Sequence, residues 1–152
     1  MRLLLLALLL CMTTHVHARP LNYGPFGDLV TRGDGMKCAQ VAILMTSSDG
    51  WGDVEERMSR ILVDEHVFVI GFDTGHYLRE ANALDEEQNI SEDLEYLYKY
   101  VQKTLAMPRL FKPFLVGHAD GAAMVYANLV QAPEHTFWGG VALGFRPELG
   151  LK

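Results

Sequence analysis

Four continuous apolar runs, at residues 39–46, 66–72, 111–116 and 138–145, constrain this chain more than any other feature. None alternates apolar with polar residues, so none reads as a strand with one face in water. A strand that is apolar throughout is buried on both faces, the condition of strands in a parallel sheet covered by helices. The segments between the runs supply those helices. Asp53 is a plausible N-cap, and Val54, Met58, Ile61 and Leu62 then fall on one helical stripe. Asn89 and Glu92 have the residue types of a capping box. Behind them Leu94, Leu97, Tyr98, Val101 and Leu105 mark a helix through Ala106, stopped by Pro108, with Tyr98 inward and Tyr96 and Tyr100 at its rim. Residues 122–131 read as a further helix, stopped by Pro133. After the second run the chain turns at 73–76, and the polar, acidic stretch 80–88 reads as a surface excursion.

Strand and helix therefore alternate, which predicts an α/β fold: a mostly parallel sheet, right-handed crossovers and helices on both faces. Ahead of it, residues 19–38 form a Gly-, Pro- and Asp-rich lead-in with one short strand at 29–31 and a turn at 33–35. In such sheets ligands bind beyond the carboxyl ends of the strands. That directs attention to the loops 47–52, 73–79, 117–121 and 145–149.

The first eighteen residues stand apart. Met1-Arg2 is a positive start, residues 3–12 are apolar, and Val16-His17-Ala18 suits a small-residue cleavage site. This is the pattern of a cleaved export signal, too short to span a bilayer. It predicts a periplasmic or secreted protein beginning near Arg19, with no transmembrane segment in the mature chain. A lipidated Cys11 and a buried N-terminal helix are the alternatives. Removal of the signal leaves Cys38 as the lone cysteine, read as a buried small hydrophobe. With 13 Lys and Arg against 19 Asp and Glu, the net charge of −6 argues against nucleic acid as a partner and against a polybasic membrane-surface protein.

Chemistry is concentrated at Gly117-His118-Ala119-Asp120-Gly121, between an apolar strand and an apolar helix. Context and spacing match the nucleophile elbow G-x-S-x-G, in which a strained turn exposes the nucleophile above the sheet. Here the central residue is Ala119, and a methyl group cannot attack a carbonyl. The acid and histidine of such a triad follow the serine in the chain. Beyond Ala119 stand Glu134 and His135, on the side of the sheet away from the elbow, and Glu148, without a histidine partner. No complete triad is present. The binding candidates are His118 and Asp120 beside Ala119, Asp73 and His76 after the second strand, and Asp49, Gly50 and Trp51 after the first. Solvated turn roles for the polar residues, and packing of Trp51 over the sheet end, are the plain alternatives. No cluster of His, Cys, Asp or Glu has metal-ligand spacing, and Gly33, Gly35 and Gly50 match no phosphate-binding pattern, so neither metal nor cofactor is expected.

Three stretches resemble one family. Ser47-Ser48-Asp49-Gly50-Trp51 is similar to a Ser/Gly-Asp-Gly-Gly-Trp-like loop, with one glycine where the family has two. Residues 113–122 (PFLVGHADGA) resemble the family's strand and elbow, and residues 125–133 and 136–145 resemble the segment after it. The family is the VirJ/AcvB group of bacterial virulence proteins, exported and α/β-hydrolase-like, and the resemblance is closest to the amino-terminal domain of its two-domain members. It implies residues 39–152 as an incomplete hydrolase-like domain, with the family's elbow serine replaced at Ala119 and the sheet truncated after the fourth long strand. Members of the longer type imply hydrolysis of aminoacylated phosphatidylglycerol. Three functional expectations follow: a catalytically silent binding or structural module for a lipid head group or protein partner; part of a serine hydrolase whose catalytic residues lie in another domain; or a gene fragment without function. An apolar fourth strand with an open edge is also expected to invite self-association.

Overall fold

The computed structural model describes residues 20–84 and 89–145, so the expected export signal and Glu148 lie outside the described residues. Two short strands, β1 (Leu21–Asn22) and β2 (Asp28–Arg32), flank a 3-10 turn at Gly24–Phe26. β3 (Gln40–Met45), α1 (Asp53–Asp64), β4 (Val67–Phe72), α2 (Thr74–Ala83), α3 (Ile90–Thr104), β5 (Phe114–His118), α4 (Asp120–Gln131) and β6 (Gly140–Leu143) follow. The strands form one sheet in the order β1-β2-β4-β3-β5-β6. β3, β4, β5 and β6 are mutually parallel, while β1 and β2 run antiparallel at one end. The expected mostly parallel α/β sheet is therefore present.

Burial explains the apolar runs. In β3, Val41, Ile43 and Met45 point into one core with residues of α2, α3 and α4, while Ala42 and Leu44 point into a second core against α1. Each strand residue thus meets apolar partners whichever way it faces, and helices cover both faces. Among the described residues no helix is long and apolar enough to cross a membrane.

Several boundaries differ from the sequence reading, each for a physical reason. The stretch 73–79 is the first part of α2. Asp73 caps it by accepting the His76 N–H at 2.9 Å, and Tyr77 and Ala81 are fully buried one helical turn apart. Two apolar contacts among polar neighbours are a weak sequence signal, yet Tyr77 stacks on Phe26 at 4.6 Å and donates its hydroxyl to Asp93 at 2.8 Å. Burial, followed by the Asp93 carboxylate, pushes the Tyr77 phenol well above its ordinary range. The cap of α1 is Gly52, not Asp53; its N–H donates to the Glu55 carboxylate at 3.1 Å. The third run starts as a strand only at Phe114, because the Gln102 side chain takes both backbone groups of Phe111, at 2.7 and 2.9 Å. Cys38 is half-buried; its thiol lies 3.5 Å from the Gly35 carbonyl, and burial pushes its pKa up.

The fourth run is the largest departure. A strand buried on both faces was expected, but every residue of β6 is exposed, with Val141 at 47% and Leu143 at 44%. Its apolar pattern matches that of the central strands. Its position does not: β6 pairs with β5 alone among the described residues and is the edge strand there.

The tightest packing lies where α4 meets the sheet. A β-carbon on Gly121 would sit 2.2 Å from the Met45 carbonyl oxygen and 2.5 Å from that of Thr46. Gly121→Ala is therefore expected to destabilise the fold by about 3 kcal/mol, the upper range for overpacking. Urea denaturation checks this; a loss under about 0.5 kcal/mol, the scale of an ordinary surface change, would mean that α4 does not bear on β3 as described.

Candidate functional site

The elbow is built from the backbone outward. β5 ends at His118, Ala119 turns at φ 53° and ψ −110°, and α4 begins at Asp120. A positive φ with this ψ is a sparsely populated conformation for any residue with a β-carbon, and it costs on the order of 1–3 kcal/mol. Two contacts hold it. The Ala119 N–H donates to the Leu143 carbonyl of β6 at 2.9 Å, and the Ala119 carbonyl accepts the Ala122 N–H at 3.0 Å. A β-carbon on Gly117 would lie 2.1 Å from the Gly121 carbonyl oxygen, so both flanking glycines are required by the close approach of strand and helix. This is the geometry of a nucleophile elbow, carrying a methyl group where the nucleophile stands.

His118 and Asp120 leave the elbow in different directions. His118 turns toward α1, where its Nδ1 lies 3.4 Å from Oε1 of Glu55. The Glu55 side chain is 4% exposed, and neither of these two buried atoms hydrogen-bonds any other group among the described residues. The His118 side chain is 34% exposed, so its solvent-facing part is the ring beyond Nδ1. Sequence reasoning missed Glu55; the available signal was its place three residues after Gly52, the position from which a glutamate reaches back to a helix cap. Asp120 instead points to the 47–52 loop, where Oδ2 accepts the Ser48 N–H at 3.0 Å. Hydrolases of this architecture build the oxyanion hole from the N–H after the nucleophile and an N–H of the loop beyond a neighbouring strand. In this chain a carboxylate of the elbow itself occupies the Ser48 donor.

The other candidates are structural to different degrees. Gly50 has φ 85° and closes a turn in which its N–H donates to the Ser47 carbonyl at 3.1 Å. Asp49 is exposed, and its N–H donates to the Ser47 hydroxyl at 3.3 Å. Asp73 caps α2, and the His76 ring packs against Gly27; neither is joined to the elbow by a hydrogen bond among the described contacts. Trp51 lies over Gly71 of β4 within the α1-side core. Glu134 and His135 follow α4, and the Trp138 N–H donates to the Pro113 carbonyl at 3.0 Å, which places that segment at the amino end of β5, away from Ala119. Among the described residues, no group of three or more His, Cys, Asp or Glu is placed to hold a metal ion.

Trp51 is anchored by charge. Its indole N–H and the Arg32 guanidinium both donate to Oε2 of Glu56, each at 3.1 Å. The indole first, then Arg32, hold the Glu56 carboxyl below the usual carboxylate range. A lowered folded-state pKa contributes stability that is present above the ordinary glutamate range and lost as pH falls through the folded value. In a Trp138→Phe background, acid titration of Trp51 fluorescence should therefore show a transition below that range, and Glu56→Gln should abolish it. An unchanged titration in Glu56→Gln would show that this carboxylate does not hold the indole.

Two solved structures are similar to this chain. One is a carboxylesterase study protein from the ammonia-oxidising thaumarchaeon Nitrososphaera gargenis, 16% identical over 75% of this chain, with a TM-score of 0.45. The other is a protein named as a dienelactone hydrolase from Klebsiella pneumoniae subsp. pneumoniae, 10% identical over 83% of this chain, with a TM-score of 0.49. This chain spans 41% of the length of the first and 66% of the second. No curated protein matches it. Residues 39–137, from the start of β3 to the segment after α4, match the family of the bacterial virulence protein VirJ, and the chain belongs to that family.

Proposed function

We propose that this protein is an exported, hydrolase-fold binding module that does not turn over a substrate at its elbow. The observation that carries this reading is Ala119: it keeps the strained backbone of a nucleophile, φ 53°, without a side chain that can attack. Two features support it. The Ser48 N–H, a donor of the kind that would stabilise an oxyanion, is held by Asp120. His118 is directed into α1 toward Glu55. A loop, a histidine edge and a small methyl remain as a preformed surface at the carboxyl end of the sheet, suited to a lipid head group or a protein partner. The retained elbow also favours a second reading, in which the chain is part of a periplasmic hydrolase of aminoacylated phosphatidylglycerol with its catalytic residues in another domain.

Labelling with a fluorophosphonate tests the silent elbow that both readings share. The purified chain should remain unlabelled, and Ala119→Ser should not restore esterase turnover, because a serine without a positioned base stays protonated and weakly nucleophilic. Turnover of an ester by the unmodified chain, or labelling of Ser47 or Ser48, would overturn the silent reading and move the chemistry into the 47–52 loop. Export rests on the apolar residues 3–12 and on Ala18. Amino-terminal sequencing of the protein from cells should find a start near Arg19; an intact Met1 in the accumulated form would remove that part of the proposal.

A further inference from the structure

The net charge of −6 conceals a local cluster of cations where α3 leads into β5, at the amino end of the sheet. Lys103 stands in the last turn of α3, and Arg109 and Lys112 lie on the segment that leads from α3 into β5. Arg109 is stacked over Phe111 at 4.4 Å and Lys112 over Trp138 at 4.8 Å, so both cations are held beside aromatic rings. Among the described residues the acidic groups at this end are Asp34, paired with Lys37 at 3.5 Å, Glu95, paired with Lys99, Glu134 after α4, and Asp64 and Glu65 at the end of α1, which packs on the other face of the sheet from α3.

Between the cations stand large apolar side chains facing water. Leu110 is 59% exposed and Trp138 67% exposed, with Leu105 nearby at the end of α3. Leu110 and Arg109 separate two shallow clefts, one of about 190 Å³ shared with Lys103 and one of about 280 Å³ shared with Lys112 and Trp138. Leu110 is thus a projecting tip rather than the floor of a groove. A protein strand would add at the exposed β6 edge, which carries no cation. An exposed aliphatic tip, an exposed indole and flanking cations are the elements of shallow insertion at a bilayer surface, where the indole sits at head-group level and the cations meet anionic lipid.

We propose that this end of the molecule docks on an anionic membrane surface through Leu110 and Trp138, with Lys103, Arg109 and Lys112 supplying the charge complement. The proposal does not rest on the elbow reading, but it bears on it: a chain docked this way turns the elbow from the bilayer, toward a protein partner and not toward a lipid head group of the same membrane. β5 runs from this end toward Ala119, so at about 3.3 Å per residue the elbow lies roughly 20 Å away and faces the aqueous side.

The test uses the purified chain carrying Trp51→Phe, so that Trp138 is the fluorescent reporter, and vesicles of phosphatidylcholine with or without a third of phosphatidylglycerol. Trp138 emission should shift to the blue with the anionic vesicles only, and added salt should weaken the effect. Joint Lys103→Ala, Arg109→Ala and Lys112→Ala should lower vesicle affinity by well over tenfold, each neutralised charge counting for about fivefold. Leu110→Asp should do the same through the tip, while Arg57→Ala on α1 should change nothing. Variants are compared at wild-type far-ultraviolet circular dichroism. Equal binding to neutral vesicles, binding that survives the triple neutralisation because residues 3–12 carry it, or an equal loss in Arg57→Ala would each overturn the proposal. So would a spectral shift with polyglutamate but not with vesicles, which would assign the patch to an acidic protein.

Discussion

The close contact between the first turn of α4 and the ends of β3 and β5 sets the geometry of everything around it. It exists only because residues 117 and 121 have no side chains: a β-carbon at either would lie 2.1–2.2 Å from a backbone oxygen. With α4 pressed against the sheet, the chain between strand and helix has room for one residue, Ala119, and only in a left-handed turn. The same contact seats Met124 and Val125 in the larger core beside α3. Fold stability and site geometry therefore depend on the same few atoms, which is one physical reason an elbow can outlast its nucleophile. An alanine changes the chemistry while leaving the close packing untouched.

Around the elbow, polar groups that are costly to bury tie neighbouring elements to one another. A buried carboxylate is tolerated only when its oxygens are partnered. One oxygen of Glu55 accepts the Gly52 N–H that opens α1, and the other faces His118 at the end of β5. Asp120 holds the 47–52 loop by the Ser48 N–H, and Asp73 caps α2 beside that loop. The carboxyl end of the sheet is thereby braced by acid–amide contacts.

The two ends of the sheet differ in kind. At the carboxyl end acidic side chains are drawn inward onto backbone donors. At the amino end cations and large apolar groups face outward around Leu110. Whole-chain charge averages these ends together, which is why the net value of −6 argues against a membrane surface while the local arrangement argues for one.

The sequence by itself determined the sheet. Continuous apolar runs require cover on both faces, and that requirement fixes β3, β4 and β5 between helices before any coordinate is known. The Gly-x-x-x-Gly spacing between an apolar strand and an apolar helix determined the elbow, and Ala119 determined what it lacks. Three things were decided only by tertiary structure. α2 folds because Tyr77 meets Phe26 and Asp93, residues distant in sequence, and local polarity hides that contact. β6 is exposed because strand order puts it at an edge, whereas an apolar run reads the same whether or not a neighbour covers it. Glu55 joins the site because the start of α1 packs beside β5; a glutamate in a first helical turn looks like any other until burial removes the water from around its charge and leaves His118 as the group it faces.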